Sequence, residues 1–380
     1  MKKPKYIALS KSTIQAKQAL LFPIYNRKGR LVAEKDEILT KAQLKKILEL
    51  AEIFTPMEAL KPVISLDEGH DLNGAIDKFM RPHQRLKNIE KILQSVCEYP
   101  SDSSAPSKIF KSISRLQSIC NKTPSAAIAK IITDSNENYA VRHALHTAIL
   151  CELAAIQLKW PIEKRHDLVG AAFTMNLSLG FMQDELLDQE RPLSQEQKLI
   201  IHNHPLDSIK ILQDIGIQNT DWLDYVEKHH EAADGTGYPK GCHQNNIPVG
   251  AMLISLSDVY CAKVSGRNYR DAIYANVATR DIFLEKDNSN KDTLIDVFVK
   301  TLGLYPPGCF VRLKNKEFGI VVKRGKHIKA PLIRLVSENV NDPIISNTFR
   351  QVDDKEYAIQ EIVPIDANKF KINYNVVWDY

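Results

Sequence analysis

From about residue 108 to residue 304 apolar side chains recur at helical spacing with few strand signals. A stretch of that length must bury its one-sided apolar stripes by packing helix against helix, so the chain is expected to be mainly α, built around a helical bundle. Different patterns flank it. The segment LLFPIYNRKGRLVAE reads as two short strands around an NRKGR turn, and KAQLKKILELAEIF, with Leu44, Ile47 and Leu48 at helical spacing, reads as a helix. These make a small α/β module over residues 1–65. The polar stretch SLDEGHDLNG and the helical pattern AIDKFMRPHQRLKNIEKILQSV follow, and SDSSAPS (101–107) has the composition of a linker, so 66–107 reads as a helical connector. Beyond GLYPPG, the run FVRLKNKEFGIVVKRGKHIKAPLIRLV alternates apolar and polar residues between turn-formers, which predicts a β-rich module over 305–380 behind the 108–304 helical domain.

Composition narrows the function classes. At 380 residues, 44% hydrophobic and 26% charged, the chain can bury a sizeable core. A net charge of +5 suits a small anionic ligand and does not make the concentrated basic face that a nucleic-acid polymer needs. The start MKKPKYIALSKST has no apolar segment behind its basic residues, so no signal peptide is expected. ALHTAILCELAAIQL is interrupted by His146 and Glu152 and is too short to span a bilayer. The six cysteines form no CxxC pair, which fits reduced thiols in a cytoplasm rather than a cysteine zinc site.

Eight of the eleven histidines fall between 143 and 243: His143, His146, His166, His202, His204, His229, His230 and His243. Asp258 lies in the apolar run MLISLSDVY, where a lone carboxylate is costly unless paired or metal-bound. Imidazoles and carboxylates converging from separate helices are a common way to hold a metal in an all-helical protein. Residues 229–241 read HHEAADGTGYPKG; an HP dipeptide followed by IKIL lies upstream and SDVYCAKVSGRNYR downstream.

In this order these motifs resemble the HD-GYP family, the branch of the HD phosphohydrolases that hydrolyses cyclic di-GMP, over residues 139 to 305. The resemblance implies an HD-type helical bundle and metal ligands at His143, His204, His229, His230 and Asp258. Asp234, Gly235, Gly237, Tyr238 and Pro239 would shape a loop over the ligand, Arg267 and Arg270 would contact its phosphates, and Glu231 would orient a histidine. His146 reads as a packing residue, and His202 and His243 as solvent-facing.

The family's His-Asp dyad and the lysine after it are missing. In GAAFTMNLSLGFMQDELL, aligned on the family motif, Met175 stands at the histidine position, Asn176 at the aspartate and Leu179 at the lysine. The nearby His166–Asp167 lies nine residues too early and reads as solvent-facing polarity at a helix start. Two dications about 3.5–4 Å apart repel by on the order of 17 kcal/mol at an effective dielectric of about 20. A neutral amide, a thioether and an alkyl group cannot replace the bridging carboxylate that holds such a pair. Two readings of the remaining histidines follow: one divalent metal (Zn, Mn or Fe) held by His204, His229 and His230, or hydrogen-bonded core histidines around a vacated cavity; a binuclear centre is not expected.

Three functions fit this reading. The first is a cyclic di-GMP signalling module that binds this or a related nucleotide, or a protein partner, with weak or no hydrolysis. The second is a phosphodiesterase working on a reduced metal site. The third is a helical scaffold that binds no nucleotide. A homodimer is compatible with each.

Overall fold

The computed structural model describes residues 5–50, 52–60, 80–134, 138–265, 274–284, 291–325, 330–337, 344–352, 356–363 and 372–378. The chain divides into two compact units, Met1–Arg85 with Ile372–Tyr380, and Leu86–Lys371. In the first, strands β1 (Tyr6–Leu9), β2 (Ile24–Asn26), β3 (Leu31–Ala33) and β4 (Ile53–Pro56) form an antiparallel sheet in the order β1-β4-β2-β3. Helices α1 (Lys41–Glu49) and α2 (Met57–Leu60) accompany it.

The NRKGR turn forms as expected. The Asn26 side chain accepts from the amides of Lys28 and Arg30 at 2.9 and 3.0 Å, and Gly29 takes φ +73°. Thr40 and Gln43 form a capping box that starts α1. The helix stops earlier than KAQLKKILELAEIF predicts: Leu50 is extended and Ile53 and Phe54 belong to β4. Ile53 and Thr55 are buried while Phe54 and Pro56 are half-buried, a period of two that only a strand produces.

The second unit begins within α3 (Pro82–Glu98) and continues through α4 (Ala105–Lys122), α5 (Pro124–Thr133), α6 (Tyr139–Gln157), α7 (Ile162–Thr174), α8 (Met182–Asp188), α9 (Gln195–Asp214), α10 (Thr220–Lys228), α11 (Val249–Val264), α12 (Ala275–Leu284) and α13 (Lys291–Leu302). SDSSAPS does not act as a linker between domains. Ala105 is fully buried at the start of α4, with Pro106 in its first turn, and α3 and α4 share one core. Turn-formers and helix starts draw on the same residues, so composition alone could not separate them. After α13 come β5 (Phe310–Leu313), β6 (Phe318–Lys323), β7 (Leu332–Val336), β8 (Ile345–Gln351) and β9 (Ile359–Ile362), an antiparallel sheet in the order β8-β7-β6-β5-β9. A last helix, α14 (Tyr374–Val377), belongs to the first unit, where His83 stacks on Tyr374 and Trp378. Among the described residues no helix is long and apolar enough to cross a membrane.

Helix α6 is the axis of the bundle, buried along nearly its whole length. Its Glu152, fully buried, accepts a hydrogen bond from Arg165 of α7. Gly170 of α7 admits the Trp222 ring: a Cβ there would lie 2.4 Å from ring carbons. Trp222 Nε1 donates to Thr174 Oγ1 at 2.9 Å, which clamps α10 to α7. The site begins where α10 ends.

Candidate metal centre

A capping box of Ser194 and Gln197 opens α9, and Pro205 lies inside it. Proline has no N–H, so the carbonyl four residues earlier, on Ile201, loses its helical donor. His204 uses that vacancy, its Nδ1 donating to Ile201 O at 2.6 Å. His229, the C-cap of α10, does the same at a helix end, its Nδ1 donating to the last-turn carbonyl of Val226 at 2.7 Å. A proton on each Nδ1 leaves each Nε2 as a bare lone pair.

These two lone pairs face one another at 3.3 Å. With neither Nε2 carrying hydrogen the contact is no hydrogen bond, and the pair is satisfied when a cation sits between the nitrogens. Two nitrogens on one tetrahedral zinc, each about 2.05 Å from it, stand roughly 3.3 Å apart. His230 completes the set, its ring centroid 4.1 Å from that of His229 and 5.1 Å from that of His204. Ligand atoms of the three lie within 4.8 Å of one another. Burial pulls all three imidazoles below their usual pKa, His204 to about 4, so they stand neutral and ready to ligate. The donor set fits one divalent ion, which would polarise a bound water or ligand oxygen there.

His143 and Asp258 make a pair beside this trio. His143 Nε2 lies 2.5 Å from Asp258 Oδ1, and since a carboxylate only accepts, the proton is on the imidazole. Burial would raise the Asp258 carboxyl, but the His143 bond and the nearby His230 and His229 hold it well below the usual carboxylate range. The five ligand candidates thus come together, as three imidazoles facing inward and one imidazole–carboxylate pair.

The glycine-rich loop closes over the trio. Glu231 accepts from the amides of Lys240 and Cys242, each at 2.7 Å, so its carboxylate ties the loop together, while main-chain carbonyls orient His204 and His229. Exposed Asp234 accepts from the Thr236 amide and hydroxyl, and Gly235 turns at φ +79°. Gly237 answers a different need: a Cβ would lie 2.2 Å from the Ala232 amide nitrogen. The Tyr238–Pro239 peptide is cis. The Tyr238 ring stacks on His230 and on exposed His202, at centroid distances of 4.6 and 5.2 Å. Solvent exposure of His202 therefore leaves it a partner that spacing did not reveal. Arg267 and Arg270 lie outside the described residues.

The segment aligned with the dyad hangs on the same helix as His204. Ser178 Oγ donates to His204 O at 2.9 Å, and the Ser178 amide donates to Ser208 Oγ at 3.1 Å. Met175 and Leu179 are buried apolar groups. Asn176 Nδ2 donates to Gln183 Oε1, and its Oδ1 is buried with no hydrogen-bond partner among the described residues. His166 stacks on Phe110 and edges Trp222, while Asp167 accepts from Asn219, so this dipeptide is half-buried helix packing. His146 Nε2 lies 3.2 Å from Asp134 Oδ2, in a buried group with Lys130 and Glu90 that sequence reading missed. Lys130 has one partner four residues on, Asp134, and a second, Glu90, that comes from α3, so its own segment shows only half of the group.

The model of the HD domain family matches residues 126–293. Cyclic di-GMP phosphodiesterase PA4108 of Pseudomonas aeruginosa is 26% identical over 213 residues, 56% of this chain and 51% of that protein. Cyclic di-GMP phosphodiesterase PdeB of Borreliella burgdorferi is 22% identical over 185 residues, 49% of this chain and 48% of that protein. The 3'3'-cGAMP-specific phosphodiesterase 1 of Vibrio cholerae is 26% identical over 145 residues, 38% of this chain and 33% of that protein. The chain spans about half or less of the length of these curated relatives. Among solved structures, Bd1817, an HDG"Y"P protein from Bdellovibrio bacteriovorus, aligns over 78% of this chain and 99% of that one at 15% identity, with a TM-score of 0.44. Residues 126–293 carry an HD domain, and the HHE–DG–GYP signature around the imidazole trio is similar to that of the HD-GYP branch of HD domain proteins.

Proposed function

We propose that the chain is a cyclic di-GMP signalling protein whose metal centre is reduced to one divalent ion on His204, His229 and His230, with little or no hydrolysis. The observation that carries this is the set of side chains at the aligned dyad. Met175, Asn176 and Leu179 offer no carboxylate to bridge two metals and no ammonium to meet a phosphate, whereas the trio is formed and oriented. The signature loop over the trio supports retention of a nucleotide or protein ligand, with Asp234, Gly235, Gly237, Tyr238 and Pro239 shaping its surface. Arg267 and Arg270 would hold phosphates by bidentate contacts.

The trio also supports a second reading, an active phosphodiesterase on the reduced site, since three imidazoles and an open position can activate water. Metal analysis of purified protein, with cyclic di-GMP turnover in added manganese or iron, separates the two. About one metal per chain with negligible turnover is expected. Robust turnover that His229→Ala abolishes would establish the active enzyme instead. Calorimetric titration with cyclic di-GMP then compares wild type with Arg267→Ala; absence of wild-type binding identifies a scaffold.

A further inference from the structure

A second concave site lies away from the imidazole trio, between the helices and the C-terminal sheet. Its volume is about 380 Å³, and Ser125, Gln157, Lys300, Tyr305, Lys323 and Arg324 are among the residues that line it. Three of these are cations, and no carboxylate is among the described residues that line the cavity. Among the described residues no acidic group pairs with Lys300, Lys323 or Arg324, although Asp and Glu are plentiful elsewhere on the chain. Cations gathered at one concavity without counter-charge are the arrangement that an anionic ligand completes.

Arg324 is anchored as well as unpaired by acid. One guanidinium nitrogen donates to the Lys300 carbonyl in the last turn of α13, which fixes the planar group and leaves its remaining N–H donors for a ligand. Burial pulls its pKa below the usual arginine value, as for a guanidinium stripped of water with no anion in return. The lining also includes Pro124 and Ser125, on which α5 opens. The Thr123 hydroxyl there donates back to Ile119 O at 3.1 Å and does not cap the helix. The positive end of α5 therefore adds to the same field.

The size and remaining lining choose among anions. A cavity of about 380 Å³ is far larger than an inorganic phosphate and falls in the range of small-molecule sites. Tyr305 offers an aromatic face and the Gln157 amide offers both a donor and an acceptor, the groups that stack and read a nucleobase. We propose that this cavity is a second ligand site of the chain, taking a nucleotide-sized phosphate ester with Lys300, Lys323 and Arg324 on the phosphate and Tyr305 and Gln157 on the base.

The test titrates the full chain by calorimetry with 5′-GMP, 5′-AMP and inorganic phosphate at low salt. Lys300 and Lys323 are exposed, so Lys300→Ala/Lys323→Ala is expected to fold normally; Arg324→Ala is avoided because it strips a cap from α13. At least one mononucleotide is expected to bind, at least tenfold tighter than phosphate, with affinity falling as salt rises. The double variant should weaken it tenfold or more and His229→Ala should leave it unchanged. Failure of both mononucleotides to bind, binding no tighter than phosphate, indifference to the double variant, or loss in His229→Ala would each overturn the assignment.

Discussion

His204 and His229 turn their Nε2 atoms toward one another at 3.3 Å while each Nδ1 is committed to a main-chain carbonyl. Zinc added to metal-free protein should therefore bind one equivalent and raise Tm, by an amount set by ligand concentration over Kd. Removing any one imidazole of the trio should weaken binding by on the order of 100-fold, to judge from how strongly ligand-shell changes act. An unchanged Tm response in His204→Ala or His229→Ala would rule this site out.

Restoring the altered dyad is a direct test of its alignment. Met175→His, Asn176→Asp and Leu179→Lys together are expected to raise metal stoichiometry from about one to two per chain and to bring turnover of cyclic di-GMP above wild type. If elemental analysis still finds one metal, the segment 175–179 is not the dyad position.

Pro205 gives a prediction in which stability and site move in opposite directions. Pro205→Ala supplies an amide to the Ile201 carbonyl and should stabilise α9, up to the ~3 kcal/mol that an interior proline costs. The same amide competes with His204 Nδ1, so metal affinity should fall 10- to 100-fold. Urea unfolding and metal titration on one preparation check both signs.

Gly170→Ala pushes a methyl group against the Trp222 ring, 2.4 Å away before relaxation. Overpacking of this kind costs typically about 1–3 kcal/mol. Because α10 carries Trp222 and ends at His229, metal affinity should fall with the urea midpoint; wild-type values for both would show that the clamp does not position the site.

Glu90 predicts a pH effect. Lys130 Nζ lies 2.8 Å from Glu90 Oε1 and 2.7 Å from Asp134 Oδ2, so one ammonium serves two carboxylates. Burial raises the Glu90 carboxyl to about 7, with Lys130 opposing and Asp134 adding to the shift. An acid with a higher pKa folded than unfolded binds its proton more tightly in the folded chain, so its contribution to stability is lost as pH rises from about 4.5 through about 7. Glu90→Gln lacks this loss. Its stability relative to wild type should improve by on the order of 2 kcal/mol between pH 5 and pH 8. A flat difference in urea midpoint across that range would refute the assignment.

Much of this was legible in the sequence. VRHALHTAILCELAAIQL wrote out α6, NRKGR its turn and GLYPPG the onset of the sheet, because helical and strand periodicities and turn chemistry are local. His143, His204, His229, His230 and Asp258 were identifiable through motifs that fix their spacing. What escaped was set by partners remote in sequence. β1 and β4 are four residues each and define one another only by pairing. Glu231 was expected to steer an imidazole, yet its carboxylate found loop amides at 240 and 242, and the steering fell to carbonyls that no side-chain pattern records. The seam of Ser178, Ser208 and the His204 carbonyl joins residues 26 to 30 positions apart.

The Tyr238 ring stacks on both His230 and His202, with 25° between the planes in each pair. The same ring is part of the GYP signature. Swinging it away would bare the face of one ligand imidazole and one solvent imidazole in a single motion. A loop rearrangement that displaced this one ring would therefore change the packing of both imidazoles together.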